Sequence, residues 1–471
     1  MENPQPLHRL GIAALQQGLA QKHFSATELA QTLAARTQQF AHLKGYVDFD
    51  PTPFLAQAAQ ADAALARGDA PALTGIPLAL KDNIGTADLP TGAGTGALHG
   101  RRPRADAEVV RRLRAAGAVV AGKAGMHELA FGISSDNAVT GRIHNPWAPD
   151  CIPGGSSGGS AVVVSAGLVP AALGTDTGAS VRLPAALCGI AGLRPTVGRI
   201  PGAGIAPISA TRDTAGPMAR SVHDLALLDT VMAQDTTPLA DVPLRGLRLG
   251  LPAQRFWDAC DASVTAVMAQ AREALQKAGV VLVEVALPEL DALNAAVGFP
   301  VALYEFMAQM PDYLREAGHD VDLPALLAGI GSPDVAGLLQ PLLKEGVPEA
   351  AYREALAARA RLQAMYRDAF AQAQVEALAF PTAPLTARPL LAGGEVEFLG
   401  APQPAFLTYI RNTDPGSNAG IPGLSLPAGV GPDGLPVGLA LDGPAGSDRR
   451  LLAIGAAIER VLPPPAVPPL A

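Results

Sequence analysis

Cysteine is nearly absent: Cys151, Cys188 and Cys260 are the only three in 471 residues, far apart and odd in number. That excludes a disulfide framework and a zinc site, and small buried hydrophobes are expected instead. Aromatic residues make up only 4% of the chain, so its core must be mostly aliphatic. No apolar run reaches the ~20 residues that span a bilayer. The opening "MENPQPLHRLGIAALQQ" also lacks the basic-then-apolar order of a secretory leader. A soluble cytoplasmic protein is the expectation. Blocks of like charge are missing too, and a formal net charge of -8 argues against nucleic acid or an anionic membrane as partner.

What is present is apolar and rhythmic. Hydrophobic residues make up 49% of the sequence, enough for a large core. "IPLALKD" and "AVVAG" read as buried strands, with the amphipathic helix "ADAEVVRRLRAAG" between them. This alternation implies an α/β sheet, at least partly parallel. "SGGSAVVVSAGL" suits a buried helix that starts in a glycine-rich loop, and "VPAALGTD" follows as strand and loop. Further strands are expected at "LRLGLPA", "VVLVEVAL", "ALAFPTAP", "GLSLPAG" and "LPVGLAL", with "GPDG" turning between the last two. "FSATEL" has the form of a capping box, and "SDRRLLAIGAAIERVL" reads as a capped last helix. Strands near both ends favour one large domain over the two or three that length alone suggests.

Several motifs look like chemistry and fail on context. "GAVVAGKA" matches a phosphate-binding loop until its eighth position, where Ala124 replaces the Ser or Thr that meets magnesium. "GAGTG" has the wrong spacing for a dinucleotide turn. "GSSGG" fits G-x-S-x-G with Ser157 as nucleophile, but the preceding "NPWAPDCIP" carries three prolines and cannot be a central strand. His127 and His144 lie upstream of it, while His223 and His319 fall on helix-like or exposed segments. A Ser–His–acid hydrolase is therefore disfavoured.

A second glycine–serine loop, "GTDTGAS" at Gly174–Ser180, follows a strand. Consecutive small residues leave backbone N–H groups free to converge, as an oxyanion site requires. Two unrelated glycine-rich turns would be the plain alternative. A base other than histidine is needed, and Lys81 at the end of "IPLALK" is the best candidate, although a lone lysine is ordinarily a solvated charge.

"TGIPLALKDNI", the run "GGSSGGSAVVVSAGLVPAALGTDTGASVRLPAALCGIAGLRPT" and "GIPGLSLPAG…GLPVGLAL" together resemble the amidase signature family, from about Leu73 to the last helix. The resemblance implies a single large α/β domain over 1–471, with a central mixed sheet flanked by helices and a signature core at 70–220. It implies a Ser–cis-Ser–Lys unit: Ser180 as nucleophile, Ser156 as bridging serine and Lys81 as base. The N–H groups of Thr177, Gly178, Ala179 and Ser180 would hold the oxyanion, with Gly155, Ser157, Asp176 and Arg182 shaping the site. No cofactor and no metal are expected. The partner is a small-molecule amide, with a homodimer left open. A free lysine near pKa 10.4 is only ~0.1% neutral at pH 7.5, so using it as base costs roughly 4 kcal/mol unless burial lowers its pKa.

Two departures stand out. Ala179 occupies a position where glycine is usual, and Ala124 and Gly125 replace the common Thr and Asn, which should loosen one wall. Within the family, "ISATRDTAGPMARSVHDL", "RNTDPGSNAGIPGLSLPAG" and "DGPAGSDRRLL" are most similar to indoleacetamide and mandelamide hydrolases. That implies a small aryl-substituted carboxamide, cleaved to acid and ammonia through an acyl-enzyme. Residues 288–375 should be helical and shape the pocket, with Tyr304, Phe306 and Met307 as candidate liners, although core is the commoner fate of such spacing. The alternatives are the amidase subunit of a glutamine-dependent, tRNA-linked amidotransferase and a catalytically silent scaffold, the latter disfavoured by an intact Lys81, Ser156 and Ser180.

Overall fold

The apolar runs fold as strands covered on both faces. In the computed structural model, which describes residues 5–68, 70–252 and 255–470, "PLALK" forms a strand with all of its residues buried. Residues 1–4 of the segment read for a leader, and Ala253 at the end of "LRLGLPA", lie outside the described residues. The strands in chain order are β1 (Tyr46–Val47), β2 (Pro77–Lys81), β3 (Val119–Ala124), β4 (Ala171–Asp176), β5 (Ala191–Arg194) and β6 (Thr214–Ala219). They continue with β7 (Arg248–Pro252), β8 (Val281–Val285), β9 (Ala377–Pro381), β10 (Glu395–Phe398), β11 (Ala401–Pro404), β12 (Gly423–Val430) and β13 (Pro436–Asp442).

Eleven of them make one mixed sheet in the order β1-β3-β2-β4-β6-β5-β12-β13-β9-β7-β8, while β10 and β11 form a separate hairpin. The fold is thus α/β with a mixed sheet flanked by helices. β3, β2 and β4 run parallel, as do β9, β7 and β8, and antiparallel pairs join the two groups. A parallel group buried on both faces accounts for the unbroken apolar character of "IPLAL". The "GPDG" turn joins β12 to β13 as an antiparallel pair, with Gly434 at φ 77°.

Helix Gly158–Ser165 lies in the core with every residue buried, and its hydroxyls are satisfied internally. Ser160 donates to Leu173 O at 2.9 Å and Ser165 to Cys188 O at 2.7 Å. Glycine is required at 159 because a Cβ there would stand 2.4 Å from the backbone N and O of Gly125. The capping box forms as expected: Ser25 caps its helix and Glu28 accepts from the Ser25 N–H at 2.8 Å. The last helix, Asp448–Glu459, differs from expectation. Ser447 does not cap it with its side chain, because its hydroxyl donates instead to Pro444 O at 2.7 Å.

Between β3 and the buried helix the chain runs irregularly through residues 125–157, with one short turn at Glu128–Ala130. Side-chain amides pin it. Asn137 donates to Gly94 O and Met126 O, and Asn145 to Ile152 O and Leu187 O. Residues 288–375 are chiefly helical, led by Leu290–Ala317 and Glu349–Ala373.

Candidate active site

Lys81 ends β2 and Asp176 ends β4, so both stand at the carboxyl ends of neighbouring parallel strands, where open α/β sheets place their ligands. The Lys81 side chain is fully buried. Its Nζ lies 2.7 Å from Ser156 Oγ, 2.7 Å from Thr175 Oγ1 and 3.4 Å from Thr175 O. Burial pushes the amine down to about 7, against the upward pull of Asp176 and Asp213.

Ser156 is placed by its loop. The Gly155–Ser156 peptide is cis, and Ser156 O accepts from His127 N–H at 3.1 Å. Ser135 donates to Gly154 O at 2.8 Å and accepts from Gly158 N–H at 3.1 Å, clamping both sides of the loop. A Cβ on Gly155 would come within 2.9 Å of the Ile133 carbonyl carbon, so this position too is fixed by close backbone approach. Ser157 donates to Thr175 O at 3.2 Å and accepts from Thr175 N–H at 3.3 Å, which ties the loop to β4 rather than freeing a nucleophile.

The second loop closes on Asp176. Its Oδ2 accepts from the N–H of Val181 at 3.1 Å and from Arg182 Nε at 3.1 Å, and Oδ1 accepts from Arg194 Nη1 at 3.1 Å. Burial alone would raise this carboxyl, but the Arg182 and Arg194 guanidinium groups hold it well below the usual carboxylate range. Between the two ends of this clamp, the N–H groups of Thr177, Gly178, Ala179 and Ser180 donate to no protein acceptor among the described residues. Thr177 is steadied from its side chain, which donates to Asp213 Oδ1 at 2.6 Å. Ala179 does not have a positive φ, so alanine is accommodated where glycine is usual.

Ser180 is 9% exposed, and its hydroxyl makes no hydrogen bond to the described residues. Its backbone carbonyl accepts from Ser157 N–H at 3.2 Å, which brings the two glycine–serine loops together. The structure therefore gathers Lys81, Ser156 and both loops, while leaving the Ser156 and Ser180 hydroxyls without a direct bond. Gly125 is not the gap expected from its sequence: a Cβ there would meet Ile143 Cδ1 at 2.9 Å, and Gly159 presses on its backbone.

Thr177, Gly178, Ala179 and Ser180 line a cavity of about 400 Å³, within the ~300–1,000 Å³ range of small-molecule sites. Phe131, Ile133, Ile208, Ala302 and Ile410 supply apolar wall, and Phe299 and Leu407, 43% and 57% exposed, are also lining residues. From helix Leu290–Ala317 the liners are Asp291, Asn294, Ala295, Gly298, Phe299 and Ala302. None of Tyr304, Phe306 and Met307, for which wall and core are the two expected fates, lines this cavity. Phe306 is fully buried in a separate apolar cluster against which Met307 packs, and Tyr304 stacks on Tyr352 at 4.1 Å.

Thr175, Asp213, Ser135, Arg212 and Asp414 were not singled out from sequence. Thr175 and Asp213 stand inside quoted motifs, but nothing in their spacing tells that one touches Lys81 and the other Thr177. Arg212 and Asp414 are 202 residues apart and meet only in the fold.

Residues 28–452 match the family described as Amidase. An indoleacetamide hydrolase of Rhizobium radiobacter is 45% identical over 447 residues, covering 94% of this chain and 95% of that one. A mandelamide hydrolase of Pseudomonas putida is 39% identical, covering 98% and 92%. Among solved structures, the native peptide amidase from Stenotrophomonas maltophilia superposes with a TM-score of 0.85 at 33% identity, covering 98% and 99%.

Proposed function

The chain belongs to the amidase family and is an enzyme acting on amide C–N bonds; from that premise we propose that it hydrolyses a small aryl-substituted carboxamide, such as indole-3-acetamide, to the acid and ammonia. The observation carrying this reading is the buried contact of Lys81 Nζ with Ser156 Oγ at 2.7 Å, beside a cavity-lining loop whose amides have no acceptor among the described residues.

Neutral Lys81 accepts the Ser156 proton while Ser156 accepts that of Ser180, and Ser180 Oγ bonds to the carbonyl carbon. The Ser156 and Ser180 hydroxyls close to hydrogen-bond distance as substrate binds, since catalytic contacts commonly tighten in the complex. The N–H groups of Thr177 to Ser180 receive the charge that develops on oxygen. The amide nitrogen then receives, through Ser156, the proton that Ser180 gave up, the C–N bond breaks, and ammonia departs. Water cleaves the acyl-Ser180 ester by the same route, releasing acid and restoring the serine. Asp176 and Arg182 hold the loop in place without joining the reaction.

The aryl group fits the wall formed by Phe131, Ile133, Ile208 and Ala302, and the two hydrolases matched above act on amides of that kind by name. The test is ammonia release by the purified chain from a panel of aryl amides, short aliphatic amides and glutamine. Turnover of indole-3-acetamide, lost by at least about 10³-fold in Ser180→Ala, is the expected result. Activity that needs a glutamine donor and partner subunits would replace this reading with that of an amidotransferase subunit.

A further inference from the structure

One wall of the cavity is a closed ion pair. Arg212 Nη2 donates to Asp414 Oδ1 at 2.7 Å, and Nη1 donates to Gly298 O at 2.7 Å. The other carboxylate oxygen accepts from Asn294 and Asn418 at 3.0 Å each. Both partners are cavity-lining residues, and they are 5% and 7% exposed. A Cβ on Gly178 would stand 3.0 Å from Asp414 Oδ1, so the carboxylate abuts the loop proposed to hold the carbonyl oxygen. The α carbon of an amide bound there is one bond from the carbonyl carbon, which brings its substituents within reach of the pair. Around the cavity three arginines, Arg212, Arg255 and Arg411, face two aspartates, Asp291 and Asp414. Arg255 is paired with Asp291, and Arg411 donates to the carbonyl oxygens of Asp258 and Ala259.

We infer that Arg212 sets the charge class of the substrate: by occupying Asp414 it makes the cavity select amides uncharged at the α position and reject amino-acid amides. The inference rests on the cavity being the acyl site proposed above. An α-ammonium entering it must shed water and meets only carboxylates already paired, Asp414 with Arg212 and Asp291 with Arg255, in a wall with positive charge in excess. Remove the guanidinium and Asp414 becomes a buried carboxylate short of a cation, a state that a ligand ammonium relieves. The same cavity then takes the cationic amide.

The test is calorimetric titration of the Ser180→Ala protein, which does not turn over, with indole-3-acetamide and with tryptophanamide. It is run at pH 6, below the roughly 7.7–8.0 pKa of an α-amino group. Parent protein should bind the cation at least tenfold more weakly than the neutral amide. Adding Arg212→Met should raise the tryptophanamide to indole-3-acetamide affinity ratio at least tenfold. Arg212→Gln, which keeps a donor for Gly298 O without the charge, should do the same if the methionine variant folds poorly. Arg212→Lys should leave the ratio near that of the parent, and Asp414→Asn combined with Arg212→Met should erase the gain. A ratio that moves less than twofold in both Arg212→Met and Arg212→Gln overturns the inference, as does a gain that survives Asp414→Asn. Turnover of indole-3-acetamide by the unaltered enzyme judges the proposed function separately, since binding here needs no catalysis.

Discussion

A lysine amine stripped of water needs partners suited to its uncharged form. Lys81 Nζ donates to Thr175 Oγ1, Thr175 O and Ser156 Oγ. Once the amine is neutral, the two Thr175 acceptors suffice for its hydrogens, which frees the Ser156 hydroxyl to turn toward its lone pair. A pKa lowered to about 7 means that below this pH the Lys81 amine carries a proton and cannot serve in the proposed role of base. With chemistry limiting, kcat/KM for indole-3-acetamide should rise about tenfold per unit up to pH ~7 and level off above pH ~8. A rate flat from pH 6 to 9 would remove Lys81 from the role of base. From composition alone this residue was legible only as the end of a buried strand, and the family resemblance marked it as the base. Its companion Thr175 was not legible at all, because a threonine near the end of a strand carries no mark of what its hydroxyl meets.

Elements were legible where composition and periodicity agree. "SGGSAVVVSAGL" was readable as a buried helix because nothing in it needs water, and its glycines are explained only by the backbone they approach. Gly159→Ala should cost about 1–3 kcal/mol of unfolding free energy, since its Cβ would collide with the Gly125 backbone, which has no side chain to swing aside. A urea midpoint unchanged by this substitution would show that the helix can move. Helix Leu290–Ala317 was legible as a helix but not in its orientation, since apolar residues lie on more than one side. Phe306 and Met307 face an inner cluster, while Ala295, Phe299 and Ala302 face the cavity. Ala302→Phe should therefore shorten the acyl site, lowering kcat/KM for indole-3-acetamide about tenfold or more while sparing acetamide. Equal losses on both amides would place Ala302 away from the aryl group. The irregular stretch 125–157 escaped prediction because its shape depends on side-chain amides and hydroxyls bonded to distant carbonyls, which leave no period.

At the scale of the molecule, the mixed sheet is crossed by buried charges that composition could not reveal. Arg182 and Arg194 share Asp176 on β4, and Arg182 also lies 3.8 Å from Asp442 at the end of β13. Burial pushes Asp442 up to about 7, against the pull of both arginines. Between its unfolded value near 3.8 and pH 7 the folded chain keeps a proton that the unfolded chain has lost, so this group lowers stability as pH rises through that window. Asp442→Asn cannot ionise, and its stability relative to the parent should grow from pH 5 to pH 8 by up to about 3 kcal/mol in urea titrations. A difference that does not change with pH would mean that Asp442 is ionised throughout. The family resemblance supplied the sheet and the two serine loops in advance; the ion pairs that join distant segments had to be seen in three dimensions. Because the proposed base, Lys81, sits at the end of a strand sealed on both faces, its reactivity depends on dryness as much as on position. Any loosening that admits moisture beside Lys81 hands the amine back its proton, so heat or denaturant should silence the enzyme while most of its architecture still stands.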